Sequence, residues 1–201
     1  MDRKKIGIMG GTFDPIHIGH LLMANAAREY FRLDEILFIP SGNPYFKEHI
    51  TDKQRRYEMV SLAIEDNKSF TISDIEINRP GNTYSYETLE ELTREHPENR
   101  YYFIVGADSV FYMEQWKNIE QLFHCCTIAV AVRDGYSVDE LKVYMNKLMT
   151  TYPNCRIELF NTSRFDISST EIRDHIATGH SVQYLVPDKV LSYINENHIY
   201  R

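Results

Sequence analysis

Short apolar runs that stop at turn residues alternate, along the whole chain, with stretches whose apolar positions recur at a helical period. Ile6 to Met9 stops at Gly10-Gly11, Ile36 to Ile39 at Pro40-Ser41-Gly42, and Tyr101 to Val105 at Gly106. Thr127 to Val132 and Arg156 to Phe160 are further runs, and Phe70 to Ile77 alternates apolar with polar residues as a strand near a sheet edge does. Between the first two runs, Leu21, Leu22, Ala24, Ala27 and Phe31 share one face of a helix from His20 to Phe31. The pattern predicts further helices from the Thr51/Gln54 capping box to about Glu65, from Tyr86 to His96 and from Val138 to Met149. Another runs from the Ser168/Glu171 capping box to about Ala177, and a last one has Pro187 as its first residue. Strands that are apolar throughout are those covered by helices on both faces. The expected fold is therefore α/β, an open doubly wound parallel sheet, and such sheets bind ligands beyond the carboxyl ends of their strands.

With 201 residues the chain is read as a single domain, 1–201, whose C-terminal helical part (about 168–201) closes the site. Its net charge is −7, from 22 basic and 29 acidic side chains, so the surface as a whole repels nucleic-acid phosphates. Cations for an anionic ligand must then be gathered locally. Cys125, Cys126 and Cys155 show no metal-ligand spacing and read as reduced thiols of a cytoplasmic protein. The start, Met1-Asp2-Arg3-Lys4-Lys5, does not read as a signal peptide, and no run is long enough to span a bilayer.

Two segments carry chemistry. The first is Gly10-Gly11-Thr12-Phe13-Asp14-Pro15-Ile16-His17-Ile18-Gly19-His20, which joins the first strand to the first helix. Glycines let the backbone approach a ligand closely, and a helix start offers unpaired N–H groups and the positive end of its dipole to a phosphate. His17 and His20 lie three apart, on one side of a helical turn, and both can donate to phosphate oxygens. Neither G-x-G-x-x-G nor a P-loop is present, and the only evident third metal ligand beside the two histidines is Asp14.

The second segment is Asp166-Ile167-Ser168-Ser169-Thr170-Glu171-Ile172-Arg173. Its three consecutive hydroxyls exceed what a helix cap requires. With Arg173 near the first turn they form a second anion site.

The first segment resembles the signature of the adenylyltransferase superfamily, including the H-I-G-H element shared with class I aminoacyl-tRNA synthetases. The second is similar to the I-S-S-T-x-I-R motif of bacterial nicotinate-mononucleotide adenylyltransferases, and the resemblance extends over nearly the full length. It implies a Rossmann-like nucleotidyltransferase fold that joins the adenylyl group of ATP to nicotinate mononucleotide, giving deamido-NAD and pyrophosphate. It assigns ATP to Gly10, Gly11, Thr12, Phe13, His17, His20, Gly106, Asp108, Ile167, Ser168, Ser169, Thr170 and Arg173. It assigns the mononucleotide to Lys47, Thr83, Tyr84, Trp116 and Lys117, with Trp116 against the pyridine ring. His17, His20, Arg173 and Lys47 are the implied catalytic groups.

Lys47 stands in Pro44-Tyr45-Phe46-Lys47, where the family commonly has Pro-Pro-His-Lys. Mg²⁺ is expected on the ATP phosphates, without a protein cage. The expected partners are the two nucleotides, with no nucleic acid, no membrane and a homodimer left open. Phosphopantetheine adenylyltransferase shares the first motif, but its chains are typically shorter and lack the Asp108-to-Trp116 arrangement. A non-catalytic nucleotide sensor of the same fold is the reading from another class.

Overall fold

The computed structural model describes residues 3–44, 49–132, 138–163 and 166–201. In chain order the elements are β1 (Lys5–Gly11), α1 (Ile18–Phe31), β2 (Glu35–Pro40), α2 (Lys53–Ile64), β3 (Phe70–Ile72), α3 (Ser85–Glu95) and β4 (Arg100–Gly106). There follow α4 (Ala107–Val110), a 3₁₀ turn (Met113–Gln115), α5 (Ile119–Cys125), β5 (Cys126–Val132), α6 (Val138–Thr151), β6 (Ile157–Asn161), α7 (Ser169–Ala177) and α8 (Asp188–Glu196). The strands form one sheet in the order β3-β2-β1-β4-β5-β6. The β1–β4, β4–β5 and β5–β6 pairs are parallel, with Ile8 opposite Phe103, Ile104 opposite Ala129 and Ala129 opposite Glu158. This is the doubly wound α/β architecture expected from the alternation, and its strand order reverses direction at the β1–β4 pair.

The chain groups into two compact units. The first comprises Met1–Gly10, Met23–Leu37 and Tyr84–Arg164. Its core is built from Ile8, Ile104, Ile128 and Val130, with Leu141, Met145 and Leu148 forming the buried stripe of α6. Helices α3 and α5 pack together, and Leu89 and Leu92 of the one and Leu122 and Phe123 of the other are buried. The second unit comprises Gly11–Leu22, Phe38–Thr83 and Phe165–Arg201. There α2 packs on α8, and Met59, Val60, Ile64, Val190 and Ile194 are shielded from water.

Local chemistry moves several expected boundaries. The N-cap of α2 is Asp52 rather than Thr51: one carboxylate oxygen accepts the N–H groups of Gln54 (2.9 Å) and Arg55 (3.3 Å). A carboxylate adds charge–dipole attraction to the cap, which a hydroxyl does not. Of the expected Phe70–Ile77 strand only Phe70–Ile72 is strand. Beyond it the Ser73 hydroxyl accepts the Ile75 N–H at 3.2 Å, and Asn78 N–H donates to the Asp74 carbonyl at 3.0 Å. Such local bonds divert the backbone into a turn. Pro187 is the N-cap of α8 and not its first residue. Helix α1 begins at Ile18, two residues before His20, as the His20 N–H turns back to the His17 carbonyl at 3.0 Å.

Candidate active site

The loop after β1 is shaped by its own rings. Phe13 is buried in left-handed backbone (φ 50°), a conformation that costs a non-glycine residue on the order of 1 kcal/mol. Its ring lies where a side chain on Gly11 would start, since a Cβ there would sit 3.1 Å from the ring carbons. Gly11 thus makes room for Phe13. Gly10, in the first unit, faces the Phe103 ring, where a Cβ would make ordinary contact at 3.4 Å. Phe13 in turn meets His20 edge-on, with centroids 5.1 Å apart.

The His17 and His20 rings are stacked, centroids 3.7 Å apart and 26° from parallel. Gly19 permits this: a Cβ at that position would fall 3.0 Å from His17 Nδ1. The His17 backbone N–H donates to His20 Nδ1 at 3.3 Å. An accepting Nδ1 carries no proton, which assigns the proton of the neutral His20 ring to Nε2 and makes that nitrogen the donor. The first N–H of α1, that of Ile18, is taken by the Leu185 carbonyl at 2.9 Å.

The start of α7 is bonded directly to this loop. The cap is as expected, with the Ser168 hydroxyl accepting the Glu171 N–H at 3.1 Å. The Ser169 hydroxyl donates to the Pro15 carbonyl at 2.9 Å, and one Arg173 nitrogen donates to the Asp14 carbonyl at 2.8 Å. The other terminal nitrogen of Arg173 donates to the Thr170 hydroxyl at 3.3 Å. Ile167 lies beside Gly19, its Cβ 3.9 Å from where a Gly19 Cβ would be. The structure therefore brings His17, His20, Ile167, Ser168, Ser169, Thr170 and Arg173 into one group, all within the second unit. Its polar groups are imidazole, hydroxyl, guanidinium and helix-start N–H, the set that suits a polyanion.

Beneath this group lies a buried support that no local pattern announces. Arg56, with no exposed surface, donates to three backbone carbonyls: Thr12 at 2.7 Å, Thr51 at 2.9 Å and Gly42 at 2.9 Å. Burial lowers its pKa, and Asp14, Tyr200, Asp52 and Glu76 oppose that shift. Asp14, itself buried, receives the Tyr200 hydroxyl on one oxygen (2.5 Å) and the Thr51 N–H on the other (3.2 Å). Burial, reinforced by Asp14, pushes the Tyr200 phenol well above its ordinary value and keeps it a donor. With both its carboxylate oxygens engaged in this way, Asp14 serves as an anchor of the loop.

The β2–α2 loop is drawn in at Gly42, where a Cβ would run into the Glu76 carbonyl oxygen. Thr83 donates its N–H to the Asn43 carbonyl at 3.1 Å, and Asn43 Nδ2 donates to Asn82 Oδ1 at 3.1 Å. The backbone donor of Thr83 being taken, the group it has to offer is its hydroxyl, which is buried and makes no hydrogen bond among the described residues. Lys47 lies outside the described residues.

The first unit carries the other expected residues. Gly106 caps α4, and a Cβ there would collide with Asp108 Oδ1, so the Asp108 side chain folds back across the glycine. Trp116 sets its ring edge-on to Phe103, centroids 6.1 Å apart. Its neighbour Lys117 places Nζ 4.1 Å from the centroid of the Tyr84 ring, a cation–π contact.

Among the described residues no group of three or more His, Cys, Asp or Glu could hold a metal ion. The donors around the α1 and α7 starts attract oxyanions and are not ligands for a hard cation. The three cysteines are free; burial pushes the Cys126 thiol up strongly and the Cys155 thiol to about 11, which makes both poor nucleophiles. No helix among the described residues is long and apolar enough to cross a membrane.

Comparison with known proteins agrees with this arrangement. Residues 8–175 match the Cytidylyltransferase-like family. A probable nicotinate-nucleotide adenylyltransferase of Lachnoclostridium phytofermentans is 40% identical over 199 residues, covering 98% of this chain and 99% of the relative. One of Clostridium botulinum (strain Langeland) is 41% identical over 196 residues, covering 96% and 98%. The fold matches that of Plasmodium falciparum nicotinic acid mononucleotide adenylyltransferase complexed with NaAD, with a TM-score of 0.79 at 22% identity over 98% of both chains. The chain belongs to the nicotinate-nucleotide adenylyltransferase family, within the cytidylyltransferase-like nucleotidyltransferases.

Proposed function

We propose that this chain transfers the adenylyl group of ATP to nicotinate mononucleotide, forming deamido-NAD and pyrophosphate in NAD biosynthesis. The observation that carries the reading is the joining of two helix starts. Ser169 and Arg173 bond to the loop that bears the stacked His17 and His20, so the phosphate-binding groups of α1 and α7 are held as one set.

In the reaction a phosphate oxygen of the mononucleotide attacks the α-phosphorus of ATP. The bond from that phosphorus to the bridging oxygen breaks, and pyrophosphate leaves with the electron pair. No protein nucleophile takes part. Catalysis is positioning together with stabilisation of charge on the α-phosphate and the leaving group. His20 Nε2, His17, the hydroxyls of Ser168 and Thr170, and Arg173 are the donors; the Ser169 hydroxyl, spent on the Pro15 carbonyl, fixes the helix start to the loop, and Thr12, Phe13, Ile167 and the two glycines shape the ATP cradle. Mg²⁺ bound to the phosphates would neutralise part of their charge.

Gly106 and Asp108 hold the adenosine in this reading. Trp116 stacks on the pyridine ring, Thr83 and Tyr84 take the nicotinate carboxylate, and Lys47 and Lys117 supply positive charge to the substrate. The three free cysteines support a place in the cytoplasm.

The test is pyrophosphate release from Mg²⁺-ATP with nicotinate mononucleotide, nicotinamide mononucleotide or phosphopantetheine offered separately. Release with nicotinate mononucleotide well above the other two is expected. Preference for phosphopantetheine, or ATP binding without release, would replace this reading.

A further inference from the structure

The penultimate residue of the chain touches the loop that begins the site, and the structure gives that contact a purpose. Tyr200 reaches Asp14 across 186 positions of sequence and donates its hydroxyl to Asp14 Oδ1 at 2.5 Å. The chain end is bent to make this bond: His198 (φ 52°) and Tyr200 (φ 67°) both lie in left-handed backbone, with buried Ile199 between them. The Ile199 N–H closes onto the Ile194 carbonyl at 3.0 Å and fixes the bend to the end of α8. Such backbone costs non-glycine residues free energy and persists only where the surroundings over-determine it.

Asp14, in turn, fixes the loop. Its second carboxylate oxygen holds the start of α2 through Thr51, and its carbonyl receives Arg173. His17 and His20 follow within six residues on the same loop and helix start. Among the described residues, Arg56 and Arg173 are charged groups that act on the Tyr200–Asp14 pair. Both guanidiniums are bonded to backbone carbonyls of this loop, so the charge around the carboxylate is balanced by groups that also hold the loop.

We infer that Tyr200 is a positioning residue for the reaction: its hydroxyl, acting through Asp14, sets the loop so that His17 and His20 face the phosphates. The inference rests on the proposed roles of those histidines. Tyr200 touches neither substrate in this scheme, and its contribution belongs to the geometry of the transition state more than to ATP affinity.

Tyr200→Phe removes the hydroxyl and keeps the ring. It is expected to lower kcat on the order of tenfold while KM for ATP changes by less than about threefold. In a His20→Ala background the same change should cost clearly less than in the parent, because one of the two rings being positioned is gone. In protein labelled with ¹⁵N-histidine, the His17 and His20 ring-nitrogen resonances should shift in Tyr200→Phe. Unchanged kcat, an equal loss in both backgrounds, or unmoved ring resonances would each overturn the inference. Full turnover by His20→Ala would remove the site assignment and this inference together. An inactive His20→Ala beside a fully active Tyr200→Phe would remove the inference alone.

Discussion

Arg173, in the second turn of α7, donates to the backbone carbonyl of Asp14 at 2.8 Å. Its other terminal nitrogen reaches the Thr170 hydroxyl at 3.3 Å, so the guanidinium is held in place before any ligand arrives. Arg173→Ala should lower turnover by about 3 kcal/mol, on the order of a hundredfold, as removal of a fixed donor at a charged transition state does. Arg173→Lys keeps the charge but loses the planar fork, and should recover only a small part of the rate. Steady-state kinetics together with an unchanged circular dichroism spectrum checks this; near-normal turnover by the lysine variant would show that only charge matters.

Arg56 gives a different outcome, because its cost falls on the fold. Its replacement by Met leaves the carbonyls of Thr12, Thr51 and Gly42 buried without their donor. The expected loss is about 3 kcal/mol of stability. For a domain of this size that is a fall of roughly 6–12 °C in Tm. Gly42→Ala should lower stability by about 2 kcal/mol through the clash with the Glu76 carbonyl. Calorimetry distinguishes both variants from Arg173→Ala, whose Tm should stay close to that of the parent.

Trp116 is the only tryptophan, so its fluorescence is an unshared probe. Titration with nicotinate mononucleotide should quench it as the pyridine ring stacks. Trp116→Ala should raise KM for the mononucleotide on the order of tenfold and leave KM for ATP nearly unchanged. Quenching by ATP alone would argue against the assignment.

Stability should fall at alkaline pH. The Cys155 thiol is pushed up by burial from 9.0 to about 11. The Tyr193 phenol rises from 10.0 to about 12, chiefly by burial and then by its hydrogen bond to Glu58. Both groups hold their protons more tightly folded than unfolded. Their contribution is complete below about pH 9 and is lost as pH rises through about 9–11 for the thiol and about 10–12 for the phenol. Tm measured from about pH 8 to pH 10.5 should decline over the upper half of that range, and Cys155→Ala should reduce the early part of the decline. A Tm that rises with pH in this range would reverse the assigned sign.

What could be read in the sequence was local. The order of the strands and of the longer helices, the Ser168 cap and both candidate anion-binding helix starts depend on residues a few positions apart, where periodicity and side-chain chemistry act directly; the short α4 and α5 between β4 and β5 are not among the expected helices. Thr51 and Asp52 are both capping types side by side; the Asp52 carboxylate takes the Gln54 and Arg55 N–H groups, while the Thr51 N–H is held by the distant Asp14. The end of β3 at Ile72 depends on a Ser73 turn that alternation conceals. Arg56 and Tyr200 carried no signal: one sits in a helix rich in charge, the other at the chain end, and their partners come from distant sequence.

Gly19 shows how the H-I-G-H element is fitted together. A side chain there would meet the His17 ring at 3.0 Å, so the ring stacked on His20 would have to give by a few tenths of an ångström. The third letter of that four-letter word is therefore constrained by the first. Even Ala at position 19 would press on the pair without touching a ligand, so a change in one letter of the element is felt by another.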